Sequence, residues 1–183
     1  MKQVTISAER TIAAPAAAAW QAVSDVGAYA QVAASLSRVE VTGSGERLRR
    51  RCYNVRGRSW EEHCTLWHEG RRYRMEVDTA TYPAPLRQLL RSFSGTWSVE
   101  PTANGSRVTL IFEGTPRFGA LGRALLRLMG RRASGELEGI LDAYERGAAG
   151  VRRGPPQAAR AAPGEAASGN PWRRHSASPP AKS

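Results

Sequence analysis

The stretch GTWSVEPTANGSRVTLIFE (Gly95–Glu113) predicts two antiparallel strands joined by a tight turn. The dipeptide Asn104-Gly105 is a strong two-residue turn signal, because both residues tolerate the positive φ that such turns require. A turn there pairs apolar residues across one face of the hairpin: Val99 with Leu110 and Trp97 with Phe112. The alternation in both strands indicates a sheet with one buried face and one exposed face.

A second hairpin is predicted in SWEEHCTLWHEGRRYRMEV (Ser59–Val77), with its turn at Glu69-Gly70. One face collects the apolar residues and one carboxylate: Trp60, Glu62, Cys64, Leu66, Tyr73, Met75 and Val77. In this register Leu66 lies opposite Tyr73. The other face pairs Thr65 with Arg74, His63 with Glu76 and Trp67 with Arg72, so we expect it to contact water.

The same hairpin contains a candidate zinc site, because His63, Cys64 and His68 lie within six residues. Adjacent residues of a strand point to opposite faces, so His63 and Cys64 cannot share one metal ion within a strand. We therefore predict no metal site and no cofactor, and we interpret His63 as a surface residue beside Glu76.

Glu62 stands out as a carboxylate on the predicted apolar face, where it needs a partner or stays protonated. The preceding strand supplies an arginine. A two-residue turn at Arg56-Gly57 places Arg51 opposite Glu62, and a three-residue turn places Arg50 there. The pair is either a structural ion pair or a polar anchor in a ligand cavity.

The flanking elements follow from local signals. VTISAERTI (Val4–Ile12) alternates as a strand, two short helices are predicted in the residues after it, and SRVEV is a further strand. Residues 117–148 predict a long helix, or two helices joined near residues 133–135. Its apolar residues recur at helical spacing: Phe118, Leu121, Leu125, Leu128/Met129, Leu137, Ile140/Leu141 and Tyr144.

The chain carries 27 basic residues and a net charge of +11, of which residues 151–183 supply six basic and one acidic residue. That region is rich in Pro, Ala and Gly and has no apolar periodicity, so we predict a domain over residues 1–150 and a disordered tail over residues 151–183. No apolar run is long enough for a membrane span, and no signal-peptide core is evident, so we expect a cytoplasmic protein.

TYPAPLRQLLRSFSG (Thr81–Gly95) is long for a hairpin connection. Three interpretations remain open for it. It could be a lid over a cavity, a basic amphipathic patch that contacts anionic lipid, or a packed surface helix.

Three motifs together carry a family resemblance: RTIAAPAAAAWQAVSDVGAY (Arg10–Tyr29), Gly95–Glu113 and the helix that begins at Arg117. In this order the chain resembles the START-like (SRPBCC) superfamily, in its polyketide cyclase/dehydrase and lipid-transport branch, over about residues 3–148. The resemblance implies an α+β helix-grip fold: a curved antiparallel sheet of about seven strands around a long C-terminal helix, with two short helices after the first strand.

The resemblance also implies a hydrophobic cavity between sheet and helix. The inward residues would line it: Trp60, Glu62, Cys64, Tyr73, Met75, Val77, Trp97, Val99, Leu110, Phe112, Leu125 and Met129. We therefore expect a protein that binds a hydrophobic small molecule such as a lipid, a polyketide or a quinone-like compound.

Two alternatives stay open. A polyketide cyclase or dehydratase needs an acid or base inside the cavity, for which Glu62 and Tyr73 are the candidates. Nucleic-acid binding through the arginines is the second alternative. We do not expect it, because no surface interleaves basic and aromatic residues.

Overall fold

The computed structural model describes residues 3–153. The predicted tail lies outside the described residues except for its first three, which end the C-terminal helix. Its disorder and the domain boundary at residue 150 stay predictions. In chain order the elements are β1 (Val4–Ile12), α1 (Ala16–Ser24), α2 (Tyr29–Val32), β2 (Leu36–Thr42), β3 (Arg49–Asn54), β4 (Ser59–His68), β5 (Arg72–Val77), α3 (Leu86–Leu89), β6 (Leu90–Thr102), β7 (Gly105–Pro116) and α4 (Gly119–Arg153).

All seven strands belong to one antiparallel sheet in the order β1-β7-β6-β5-β4-β3-β2, so β1 and β2 are its edges. The sheet is curved, and α4 packs against its inner face over β1 and β7. The helix α1 packs between α4 and the far ends of β6 and β7. The predicted α+β helix-grip fold is confirmed, including the short helices after β1.

The β6–β7 hairpin turns one residue earlier than the sequence predicts. Thr102 pairs with Gly105, so the turn residues are Ala103 and Asn104. Trp97 therefore faces Leu110, and Val99 faces Val108. This correction shifts the register by two residues, which leaves every side chain on its predicted face. A Cβ at Gly105 would lie 2.1 Å from the carbonyl oxygen of Ile12, and its φ is +145°, so the position requires glycine.

A β-bulge interrupts the β4–β5 hairpin at Thr65. Cys64 pairs with Met75 as predicted, but the next pair joins Leu66 with Arg74. The bulge moves Trp67 onto the inner face, where it lies opposite Tyr73 with the ring centroids 5.4 Å apart. The predicted pairs Thr65–Arg74, Leu66–Tyr73 and Trp67–Arg72 are wrong, because Thr65 is unpaired and a bulge exchanges the faces of all residues beyond it.

The helix α4 is continuous. Its second half buries the residues that the apolar spacing predicts, and its first half does not. In the second half Leu137, Ile140, Leu141 and Tyr144 are buried as predicted. In the first half Leu126 is 8% exposed, whereas Leu125 is 39% exposed. The inward assignment of Leu125 is therefore wrong. The apolar stripe through residues 121, 125 and 128 lies about 100° around the helix from the face that meets the sheet.

Glycines allow this first half to approach the sheet closely. A Cβ at Gly130 would lie 3.0 Å from Ile6, and one at Gly122 would lie 3.0 Å from Pro116. Further along, Arg10 of β1 reaches across to α4, where it donates to Glu138 at 2.9 Å and also pairs with Asp142. Among residues 3–153, no helix combines the length and the hydropathy that crossing a membrane requires.

The connection before β6 forms only one helical turn, α3. Leu90 and Phe93 belong to β6, so Thr81–Gly95 does not form a single surface helix. Ala84 and Pro85 are exposed, while Tyr82 and Leu86 are half-buried and turn inward.

Candidate functional site

A cavity of about 450 Å³ lies between the inner face of the sheet, α4 and the connection before β6. Its size is within the range of small-molecule sites. Six aromatic residues line it: Tyr29, Trp60, Tyr82, Phe93, Trp97 and Phe112. Large aliphatic side chains also line it: Val4, Ile6, Leu36, Val77, Leu86, Leu90, Leu126, Met129, Leu137 and Ile140.

The aromatic residues touch one another in a continuous aromatic chain that runs from the cavity into the core. Successive ring centroids are 4.9 to 6.0 Å apart along Trp60, Tyr82, Phe93, Phe112, Trp97, Tyr73, Trp67 and Trp20. Such offset and edge-to-face contacts stabilise ring pairs beyond the area they bury. The first five rings line the cavity, and the last three fill the core beyond it.

Glu69 fixes the far end of the aromatic chain. Its two carboxylate oxygens accept hydrogen bonds from the indole N–H groups of Trp20 at 2.7 Å and Trp67 at 2.8 Å. Both indoles are thereby paired although their rings pack in the core. The hydrogen bond to Trp67 depends on the β-bulge, because without it this side chain would lie on the outer face.

One ion pair is set into the apolar wall. Arg50 and Glu62 are directly opposite on β3 and β4, and both side chains are buried. Nε and Nη2 of Arg50 contact the same carboxylate oxygen, Oε2, at 2.9 and 2.7 Å. The turn between the strands has three residues, Val55 to Gly57, so the alternative with Arg50 opposite Glu62 is the correct one.

The second oxygen of Glu62 is also occupied. Oε1 accepts a hydrogen bond from the indole N–H of Trp60 at 2.6 Å and a longer contact from the Cys52 thiol at 3.6 Å. Burial and the negative charge of Glu62 raise the pKa of the Cys52 thiol, so it remains a neutral donor. The carboxylate therefore meets four donor atoms, which compensates for its removal from water.

Arg50 offers a further polar group at the cavity wall. Its guanidinium carbon lies 4.5 Å from the ring centroid of Tyr29 and 5.2 Å from that of Trp97. Burial opposes its charge, but Glu62 and neighbouring groups hold the pKa of Arg50 above its usual value. Its Nη1 has no hydrogen-bond partner among the described residues. One charged donor in the cavity wall is thus unpaired within the described part of the chain, and this atom is itself buried.

The structure divides the predicted site residues into three groups. Six of them line the cavity: Trp60, Glu62, Val77, Trp97, Phe112 and Met129. Five lie on the same inner face but pack in the core outside the cavity: Cys64, Tyr73, Met75, Val99 and Leu110. Leu125 is exposed on the outer side of α4 and belongs to neither group.

The two catalytic candidates are both engaged. Glu62 holds its four donors, and Tyr73 donates its hydroxyl to the backbone oxygen of Val23 at 3.1 Å. Burial raises the pKa of Tyr73 well above its ordinary value of 10.0, so the phenol stays protonated at neutral pH. Neither side chain presents a free proton acceptor to the cavity.

Several lining residues were not predicted. Leu126 was missed because its neighbour fits the apolar spacing equally well. Tyr82 and Pro83 lie in an irregular connection, where no periodicity can assign an inward direction. The glycine at position 95, inside a predicted strand, is a sequence signal that could have been used. A Cβ there would lie 2.6 Å from the Trp97 ring, so the missing side chain makes room for that ring.

His63 points away from the cavity. It pairs in register with Glu76 and lies on the face opposite Glu62 and Cys64, as predicted. In the part of the chain that the structure describes, no three His, Cys, Asp or Glu side chains are grouped to hold a metal ion. Cys52 and Cys64 are both free thiols.

The sequence matches the family model described as polyketide cyclase / dehydrase and lipid transport over residues 3–148. That match spans the whole sheet, the cavity and most of α4. No curated protein matches the sequence.

Solved structures with low sequence identity share the fold. The di-domain aromatase/cyclase StfQ from the steffimycin biosynthetic pathway matches with a TM-score of 0.67 and 13% identity, over 82% of this chain and 52% of StfQ. The chain therefore spans about half the length of StfQ. TTHA0849 from Thermus thermophilus matches with a TM-score of 0.63 and 22% identity, over 81% of this chain and 99% of that one. The Zhui aromatase/cyclase from Streptomyces sp. R1128 matches with a TM-score of 0.61 and 21% identity, over 79% of this chain and 95% of that one.

Proposed function

The chain belongs to the polyketide cyclase / dehydrase and lipid transport family, and we propose that it binds a hydrophobic small molecule in the cavity between the sheet and α4. The observation that carries the proposal is the cavity itself: about 450 Å³, walled by aromatic and aliphatic side chains around one buried ion pair. Apolar pockets with a few fixed polar groups are typical of small-molecule sites.

The proposal extends to the chemistry of the ligand. Five rings of the aromatic chain line the wall, which favours a flat conjugated molecule over a flexible hydrocarbon. Arg50 lines the same space, and its Nη1 has no protein partner in the described part of the chain. A ligand that carries a carbonyl or carboxylate oxygen would supply the missing acceptor after a shift of the side chains that cover this atom. We therefore infer a planar ligand with at least one acceptor oxygen.

Both carboxylate oxygens of Glu62 already accept hydrogen bonds, which favours binding over catalysis. General-base catalysis needs a free acceptor within hydrogen-bond reach of the substrate, and both oxygens already face donors. Tyr73 does not line the cavity. Cyclase or dehydratase activity remains the second candidate, because a guanidinium can polarise a ketone without accepting a proton. If Glu62 is catalytic, Glu62→Gln should abolish turnover of a polyketide mimic and leave binding intact.

A matched pair of ligands tests the binding proposal. Fluorene and 9-fluorenone have the same tricyclic frame and differ in one carbonyl oxygen. Equilibrium dialysis should find both bound, with fluorenone tighter by about tenfold, the gain expected from one hydrogen bond to a charged donor. Equal affinities would contradict the role of Arg50, and no binding of either compound would contradict the cavity as their site.

A matched pair of variants locates the binding. Ala133 lines the cavity and Leu128 lies exposed on the same helix. Ala133→Trp should fill the cavity and abolish fluorenone binding, while Leu128→Trp should leave the affinity unchanged. Equal affinities in the two variants would place the ligand elsewhere on the protein.

A further inference from the structure

A stripe of large apolar side chains is exposed at the start of α4. Phe118, Leu121, Leu125 and Leu128 are 39 to 77% exposed. Leu121, Leu125 and Leu128 are spaced four and three residues apart, which places them on one side of α4, and Phe118 directly precedes the helix. We call them the leucine stripe. None of the four lines the cavity.

The leucine stripe lies next to the cavity lining. Leu125 and Met129 are four residues apart and so are neighbours on the helix surface, and Met129 lines the cavity. Ser35, Ala84 and Pro85 line the cavity and are exposed, so the mouth of the cavity lies beside them. Arg117, just before α4, connects this helix to the segment before β6, because its backbone N–H and side-chain Nε donate to the carbonyl oxygens of Leu89 and Leu90.

The same two segments carry charge of one sign. Residues 79–99 and 114–135 contain seven arginines and no aspartate or glutamate. Arg87 and Arg127 are exposed, whereas Arg91 lines a groove that also holds Glu61, Glu76 and Asp78. Four acids directly flank these segments. Glu113 pairs with Arg74 at 2.7 Å, Glu136 accepts from the backbone N–H of Ser35, and Asp78 accepts from the backbone N–H of Ala80. Glu100 is exposed near the C-terminal end of β6. The leucine stripe and the exposed arginines of these segments therefore form an apolar and cationic surface.

We propose that this face docks on an anionic membrane surface, with the leucine stripe entering the boundary between head groups and acyl chains. Apolar side chains beside arginines are what such a surface binds, since the arginines attract lipid phosphates and the leucines leave water. A second copy of the chain fits less well, because it would bring the arginine-rich segments of both copies together. Docking would place the cavity mouth against the lipid.

Vesicle co-sedimentation tests the proposal on the full chain at 0.1 M salt. Vesicles of 30% phosphatidylglycerol in phosphatidylcholine should bind the protein, and pure phosphatidylcholine should bind it far more weakly. Leu121→Gln/Leu125→Gln keeps the charge and should weaken binding to the anionic vesicles by about tenfold or more. Val41→Gln is the matched control, since Val41 is 37% exposed on the edge strand β2. It should bind as the parent protein does.

The contribution of the arginines to vesicle binding is tested with a second pair of variants. Arg87→Gln/Arg127→Gln should weaken binding by about tenfold or more, the loss expected for two cations at a lipid surface. Arg47→Gln/Arg71→Gln removes the same charge at exposed positions outside these segments and should have a much smaller effect. All variants keep the basic residues 154–183, so a charge effect of that region cancels.

Three outcomes would overturn the proposal: no binding to anionic vesicles, equal losses in the patch and control variants, or a dimer of the parent protein that dissociates in Leu121→Gln/Leu125→Gln. Equal losses would mean that net charge alone attracts the protein. The test is separable from the proposed function, because none of the substituted residues lines the cavity. Fluorenone affinity in the absence of lipid should not change.

Discussion

Arg50 and Glu62 face each other across β3 and β4, buried, while the next pair along the same strands, Arg51 and Glu61, points to solvent. Chemically identical pairs thus occupy the two faces of one sheet, one residue apart. The consequences for stability differ, because only the buried pair has given up its hydration.

A double-mutant cycle should expose this difference. Arg50→Met or Glu62→Met alone leaves a buried charge without its partner and should cost about 3–5 kcal/mol of unfolding free energy. The double variant should cost less than either single one, because no charge is stranded. The same three substitutions at Arg51 and Glu61 should leave the urea midpoint nearly unchanged. Additive losses at the buried pair would contradict this account.

The register of α4 can be tested with two adjacent leucines. Leu126→Ala removes a side chain that is 8% exposed and should cost about 2–4 kcal/mol by urea unfolding. Leu125→Ala, at 39% exposed, should change stability by about 0.5 kcal/mol or less. The reverse order would mean that the helix is rotated by one residue from the orientation described.

The glycines of α4 should respond to alanine in two different ways. A Cβ at Gly139 would meet nothing within 4 Å, so Gly139→Ala should stabilise the protein by about 0.5–1 kcal/mol. Gly130→Ala should lose that gain, because its Cβ would lie 3.0 Å from Ile6. Thermal unfolding of both variants provides the comparison. An equal gain in both would show that α4 does not approach β1 closely.

Stability should fall at alkaline pH. Burial raises the pKa of Tyr29, Tyr73 and Tyr144 above the ordinary value of 10.0. The unfolded chain then releases these protons near pH 10 while the folded chain retains them, so the stabilising contribution is present below pH 9 and is lost as pH rises. Urea midpoints at pH 8, 9, 10 and 10.5 should decline progressively.

A variant provides the control for this pH dependence. Tyr144→Phe removes one of the three phenols and should show a shallower decline between pH 9 and 10.5 than the parent protein. Parallel curves would mean that Tyr144 ionises as readily in the folded state as in the unfolded state.

Much of the fold could be predicted because the alternation of apolar and polar residues identifies the inward face of a strand even where the predicted register is wrong. The β6–β7 hairpin turns at a different dipeptide from the expected one, yet Trp97 and Val99 remain inward, since a shift of two residues preserves the faces. The bulge at Thr65 is different. A single unpaired residue exchanges the faces of all strand residues beyond it, and nothing in the local composition predicts the bulge.

The cavity was harder to predict than the inward face. Tyr73 and Phe112 are both inward, but only Phe112 lines the cavity. What separates them is the position of α1 and α4, which cover one part of the sheet and leave another open. That placement depends on packing between distant segments, such as Gly130 against Ile6. Strand periodicity carries no information about it.

The aromatic chain gives the protein an optical property of its own. The protein has five tryptophans, and four of them belong to the aromatic chain: Trp20, Trp60, Trp67 and Trp97. Two of these, Trp60 and Trp97, form part of the cavity wall. A conjugated guest that absorbs in the near ultraviolet would quench the indole emission, and ring-to-ring contact would let excitation reach it from the deeper indoles. With Trp172 replaced by phenylalanine, the intrinsic fluorescence would report occupancy without any added label.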